Sequence, residues 1–330
     1  MTLPVDDIQT HLRDGFDQSV ERLSALLRIP SIGTDPAYQT ETLEAANWLV
    51  RELQDIGFDA GLRETPGQPA VVAHYPGPGG EGPRILYYGH YDVQPAEPLD
   101  LWTTPPFEPT VVEDEKGRRI VARGAVDDKG QVMTFIEAFR AWKAVHGTLP
   151  VGVTVFLEGE EESGSPSLEG FLKSHQDELE ADVCVVSDTG MWDIDTPALC
   201  ILLRGLLYLE IILHGPNQDL HSGIYGGAVP NPLNVLTRML GDLHDDLGRV
   251  QIPGFYDNLE DLDDLDRTWK TLDFDEASFL GNAGLSRSSG EAGYSTLGRI
   301  WSRPTCDLNG LFGGYTGTGA KTVIPAKASA

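Results

Sequence analysis

The sequence predicts an α/β protein: an open, mostly parallel sheet flanked by helices, followed from about Arg204 by a second, α+β domain. Three observations carry this expectation. Short β-branched and apolar runs alternate with stretches of helical periodicity, the pattern of a sheet built from strand–helix crossovers. Acidic clusters follow several of those runs directly, where open α/β sheets gather their sites. Beyond Arg204 the alternation gives way to one long apolar run, Leu206 to Leu213, with a single strong helix after it.

The elements follow in order. Ile8, Leu12, Phe16, Val20, Leu23 and Leu27 recur at helical spacing, and Pro30 ends that pattern. Thr40 to Gly57 reads as a second helix, with Thr42 as cap, an apolar face of Ala45, Trp48, Leu49 and Leu53, and Gly57 as the stop. Ala70–Ala73 and Ile85–Tyr88 read as strands around a Gly/Pro turn from Pro76 to Pro83. A helix is expected over Gln131–Val145, a strand over Val151–Leu157, a helix near Ser167–His175 and a strand over Val183–Val186. In the second part, Pro232–Leu247 is expected as a helix and Asn258–Asp275 as an exposed acidic loop. Gly310 to Gly319 is a glycine-dense loop.

Composition narrows the function classes. The 330 residues carry 51 acidic against 24 basic side chains, a formal charge of −27 that excludes nucleic acid and anionic membrane as partners. A plain soluble acidic surface and adaptation to a salty medium both fit that charge. No apolar run approaches the ~20 residues that span a bilayer. The start of the chain, Met1 to Gln18, lacks the basic and apolar stretches of a signal peptide. Cys184, Cys200 and Cys306 have no paired spacing and are expected as buried free thiols in a reducing compartment, hence the cytoplasm.

The chemistry lies in the acidic clusters. His90 ends one strand and Asp92 follows it by two residues, so both point the same way and the carboxylate can orient the imidazole. Asp127 and Asp128 precede Lys129–Gly130 at a helix start, where one acid would suffice as a cap. Glu160, Glu161 and Glu162 crowd three like charges after a buried strand, which is unfavourable unless a cation compensates. Asp188 follows a fourth apolar run. Each cluster alone could be a solvated loop. Together they deliver hard oxygen ligands and one imidazole from several strand ends, as a carboxylate-rich divalent metal site requires. Of the remaining histidines, His11, His146, His175 and His244 are expected at the surface, and His74 and His214 in structural roles.

The segments Gly89–Pro95, Gly124–Gly130, Glu158–Ser165, Ser187–Asp188 and His221–Gly223 resemble, in order, the di-metal peptidases that include acetylornithine deacetylase, succinyl-diaminopimelate desuccinylase and the carnosinase-type dipeptidases. Gly-His-Tyr-Asp-Val-Gln-Pro and Gly319–Pro325 look like the dipeptidase branch. The resemblance implies a catalytic domain over 1–203 and a lid or dimerisation domain over 204–330, working as a homodimer. It implies that His90 and Asp188 bind one metal, that Glu162 binds the other, and that Asp127 bridges them through a cis peptide to Asp128. Asp92 would orient His90, Glu161 would act as general base and acid, His221 would reach across a dimer to the oxyanion, and Thr322 would contact substrate. The cofactors would be two divalent ions, Zn²⁺ first, with Mn²⁺ or Co²⁺ as alternatives, and the substrate a dipeptide or short peptide. The same site could serve an N-acyl amino acid deacylase, and a non-catalytic metal-binding dimerisation partner is a further alternative.

The sequence departs from the family pattern at its end. The family's fifth ligand, a late histidine, and its carboxylate-binding arginine have no counterpart before Ala330. The expectation is therefore a fragment of a longer product, close to inactive as a hydrolase by itself.

Overall fold

The computed structural model describes residues 5–80, 82–114, 117–193, 195–260 and 262–330. It divides into two compact units, one running to Leu199 and the other spanning Cys200–Ala330.

In the first unit the expected opening helix is two, α1 (Asp6–Asp14) and α2 (Phe16–Leu27). Gly15 separates them with non-helical torsions of φ −94° and ψ 8°. Glycine has the lowest helix propensity of any residue but proline, which places the break. Helix α3 (Gln39–Ile56) starts before Thr42, so Thr42 is not its cap. That side chain lies buried one turn in, and its hydroxyl donates to the Tyr38 carbonyl at 2.9 Å. Gly57 ends α3 in the left-handed region at φ 102°, as expected of a residue without a Cβ.

Strands β1 (Asp59–Arg63), β2 (Ala70–Tyr75) and β3 (Arg84–His90) follow, then a hairpin of β4 (Thr110–Asp114) and β5 (Gly117–Val121). Helix α4 (Lys129–His146), β6 (Gly152–Glu158), α5 (Leu168–Ser174), α6 (Gln176–Leu179) and β7 (Val183–Val186) complete the unit's regular elements. The main sheet has the order β1-β2-β6-β3-β7. It is mixed rather than mostly parallel: β3 runs parallel to β6 and β7, while β1–β2 and β2–β6 are antiparallel. The short β1–β2 connection permits only an antiparallel pair, whereas the long segments containing α4 and α5–α6 allow the parallel crossovers.

The middle strand β6 is buried along its whole length, covered on both faces. Val153, Val155 and Leu157 join one cluster with Leu26, Leu49 and Ile136. Phe156 faces the other way and stacks on Phe171 with ring centroids 5.2 Å apart. On that same face His74 meets the Thr154 hydroxyl and Glu178, both at 3.2 Å, and Arg63 pairs with Glu178. Two of the cysteines differ from expectation. Cys184 and Cys200 are exposed and Cys306 is half-buried, because β7 is an edge strand and the segment around Cys200 carries no regular structure.

The second unit contains β8 (Ile212–His214), β9 (Leu220–His221), α7 (Ser222–Tyr225) and α8 (Pro232–Gly241). Helices α9 (Asp263–Trp269), α10 (Glu276–Asn282) and α11 (Thr296–Trp301) come next, then β10 (Phe312–Gly313), β11 (Val323–Ile324) and β12 (Lys327–Ser329). The long strand expected over Leu206–Leu213 is realised only at its end. Its ladder partner, β12, matches Ile212–His214, and Leu206–Leu209 stay exposed. An apolar run becomes a strand only where backbone groups find a partner. The acidic stretch from Asn258 is likewise not all loop. It forms α9, whose Asp266 is buried against Lys270 and the Ser295 hydroxyl; Asp261 lies outside the described residues. No helix among the described residues is long and apolar enough to cross a membrane.

Candidate metal centre

The parallel trio β6-β3-β7 brings three strand ends to one edge. His90 closes β3 opposite Glu158, which closes β6, and Asp188 lies two residues beyond β7. Asp127 and Asp128 sit immediately before α4, joined by a cis peptide bond. Thus four segments remote in sequence converge because the sheet register aligns their ends.

The imidazole of His90 is fully buried. Its Nδ1 lies 3.0 Å from the Asp92 main-chain carbonyl and 3.3 Å from the Asp92 carboxylate. With Nδ1–H donating there, Nε2 is left facing the carboxylates of Asp127 at 3.2 Å and Asp188 at 3.8 Å. One ligand atom from each of His90, Asp127 and Asp188 lies within 4.8 Å of the others. The donor set fits a divalent cation: one imidazole nitrogen freed by an outer partner on the other, plus hard carboxylate oxygens. Asp128 Oδ2 accepts the His90 main-chain N–H at 3.1 Å, while its Oδ1 is buried without a hydrogen-bond partner among the described residues.

The electrostatics agree with an excess of negative charge. Burial lowers the His90 pKa, but the Asp92 hydrogen bond and the charges of Asp92, Asp128 and Glu161 outweigh it and raise it to about 10. Burial pushes Asp128 up to about 7; its contacts with His90 oppose this, and Asp188 and Asp127 add to it. Burial also raises Glu161, against the pull of His90 and with the push of Asp188, Asp92 and Glu158. Burial is the largest cause for both carboxyls, and the neighbouring carboxylates add to it.

Asp92, wholly buried, does more than contact His90. Its Oδ1 accepts the Glu161 N–H at 3.2 Å and its Oδ2 the Glu162 N–H at 3.1 Å. One carboxylate thereby ties the imidazole to the loop carrying both glutamates. Glu162 is not within the three-residue group; its Oε2 accepts from Gln94 Nε2 at 2.7 Å, and burial, with Asp127, raises its pKa against the Gln94 bond. In the second unit β9 and β11 pair His221 with Val323, placing the Thr322 hydroxyl 3.4 Å from His221 Nε2. His221 Nδ1 accepts the Gly223 N–H at 2.9 Å, so its ring proton sits on Nε2.

Several neighbours were not assigned from sequence. Gln94 stood in a quoted motif without a role. Lys129 is fully buried and donates to the carbonyls of Leu26 at 3.1 Å and Ile29 at 2.7 Å, and burial lowers its pKa to about 7. Glu158 accepts from Tyr88 and Ser165. Nothing but position within the motifs could have signalled these.

Comparison with known proteins gives the family. The model of Peptidase family M20/M25/M40 matches residues 86–315, and the chain belongs to that family. The Cys-Gly metallodipeptidase DUG1 of Candida albicans is 35% identical over 98% of this chain and 70% of its own length. The Beta-Ala-His dipeptidase of Rattus norvegicus is 30% identical over 96% of this chain and 66% of its own. The solved structure of the di-peptidase Dug1p from Saccharomyces cerevisiae superposes with a TM-score of 0.83 at 30% identity, covering 100% of this chain and 71% of that one. These relatives lie in the dipeptidase branch that the Gly-His-Tyr-Asp-Val-Gln-Pro segment resembles.

Proposed function

We propose that this chain is a metal-dependent hydrolase that cleaves dipeptides or short peptides. The observation that carries the reading is the convergence of His90, Asp127 and Asp188 in a member of a peptidase family. His90 and Asp188 would hold one divalent cation, Glu162 a second, and Asp127 both. Zn²⁺ suits this nitrogen and oxygen set, with Mn²⁺ or Co²⁺ as alternatives. When bound, two such ions supply Lewis acidity to the scissile carbonyl and bring the pKa of a water towards ~7.

The protein's own groups do the rest. Asp92 fixes the His90 tautomer through the ring's Nδ1 side. Glu161 takes the proton of the attacking water and returns it to the leaving amine; its raised pKa suits both acts. His221, from a second copy of the chain in a homodimer, donates from Nε2 to the oxyanion, an effect typically worth ~3–4 kcal/mol. Thr322 contacts the substrate beside it. Residues 1–203 would then be the catalytic portion and 204–330 the lid and dimerisation portion, in a cytoplasmic protein.

Equilibrium dialysis tests the centre. Wild-type chain should retain Zn²⁺, and His90→Ala or Asp188→Ala should lose the tighter equivalent. Turnover of Cys-Gly and other dipeptides against N-acetyl amino acids then separates dipeptidase from deacylase. Zn²⁺ retention unchanged in both alanine variants would overturn the assignment.

A further inference from the structure

Glu158 has no part in the mechanism above, yet it is a carboxylate only 6% exposed at the end of β6. Its Oε1 accepts two hydroxyls, Tyr88 at 2.5 Å and Ser165 at 2.9 Å. Tyr88 belongs to the adjacent strand β3, whereas Ser165 lies on the far side of the loop that carries Glu161 and Glu162. We infer that Glu158, through the Ser165 hydroxyl, is a positioning residue that closes this loop and fixes Glu161 and Glu162 against the metal centre. The inference rests on the roles proposed for those two glutamates.

The loop is held at both ends. At its start Asp92 accepts the N–H groups of Glu161 and Glu162. In its middle Ser163 and Ser165 donate from their amides to the Glu160 carbonyl, and Gly164 donates to that of Glu161. Every amide from 161 to 165 is therefore paired inside the protein. Gln94 Nε2 also donates to Glu162 in the loop, and at the loop's end the one side-chain tie among the described residues is Ser165 to Glu158. Ser165 adopts φ 50°, one of two non-glycine residues with positive φ among those described. That region favours glycine, and a Cβ there is a handicap. On backbone grounds alone glycine is the better residue at position 165, so what serine adds is its hydroxyl, and the hydroxyl goes to Glu158.

This gives the test a sign. If position 165 matters only through its backbone, Ser165→Gly relaxes the turn and amide exchange over 161–165 stays the same or slows. If the hydroxyl tie holds the loop, exchange at those amides accelerates about tenfold, the equivalent of one lost net hydrogen bond. Ser165→Ala, which keeps the Cβ and lacks the hydroxyl, should accelerate it at least as much. Hydrogen exchange with mass spectrometry on the 330-residue chain reads this without any need for turnover. Zn²⁺ titration of the same variants should show the Glu162-dependent equivalent weakened about tenfold and the His90–Asp188 equivalent unchanged. Unchanged or slower exchange in Ser165→Gly overturns the inference. Wild-type chain that binds no Zn²⁺ would instead sink the metal reading, while exchange would still decide whether Glu158 holds the loop.

Discussion

Asp92→Asn removes one negative charge from a fully buried position and turns one acceptor oxygen into a donor nitrogen. If the nitrogen replaces Oδ2 it faces the Glu162 N–H, and if it replaces Oδ1 it faces the Glu161 N–H and the His90 ring. Either way one buried donor loses its acceptor, at a cost of about 2 kcal/mol. For a unit of this size that is a fall of roughly 4–8 °C in the metal-free midpoint. The larger consequence is at His90. The Asp92 hydrogen bond and charge lead the effects that raise it, against burial, to about 10. The metal requires neutral imidazole, so binding at pH 8.5 must eject the ring proton, which is mainly bound at a pKa of about 10. Without the Asp92 hydrogen bond and charge the ring pKa falls, so the number of protons ejected per metal bound is smaller. Calorimetric titration with Mn²⁺ in two buffers of different ionisation enthalpy measures that number directly. At pH 8.5 Asp128, at about 7, is mainly ionised and adds little. The sign of the stability term follows: a histidine raised above its unfolded value stabilises the metal-free fold below about pH 6.5, and this is lost as pH climbs towards 10. Equal proton release by wild type and Asp92→Asn would refute the reasoning, since Asp92 would then not be what holds the proton on His90.

Further outcomes are expected. Glu161→Gln should keep its metal content and lose about 10²–10⁴ in turnover wherever turnover is measurable; metal loss in step with activity would make Glu161 a ligand instead. Metal titration should show one tighter equivalent that depends on His90, Asp127 and Asp188 and one weaker equivalent that depends on Glu162; two equal affinities would contradict this ordering. Metal-free stability should fall as pH rises from about 4 to about 7, because the folded chain keeps a proton on Asp128 that the unfolded chain releases. Asp128→Asn should flatten that slope in urea denaturation, and an unchanged slope would assign it to other groups.

The sequence by itself determined the α/β class and the clusters that carry the chemistry. Both are local properties. Period-2 and period-3.6 patterns are set by the pleat and the helical turn, and acids at strand ends can be read without knowing which strands are neighbours. His90, Asp127 and Asp188 were legible as candidates because hard oxygens and an imidazole fell at element ends, and the family resemblance implied their part in a metal site. What only the tertiary structure decided depends on which backbone groups find partners. The sheet became mixed because β2 met β6 antiparallel, a pairing no local pattern encodes. Leu206–Leu209 carried a strand pattern but found no ladder, and Gly15 broke a helix whose apolar spacing ran straight through it. The same holds at the centre. Asp92 joins His90 to the glutamate loop, Lys129 closes carbonyls at the end of α2, and Glu158 gathers Tyr88 and Ser165. These ties link residues as much as a hundred positions apart, and they exist because a buried polar group must find its partner wherever the packed chain brings one.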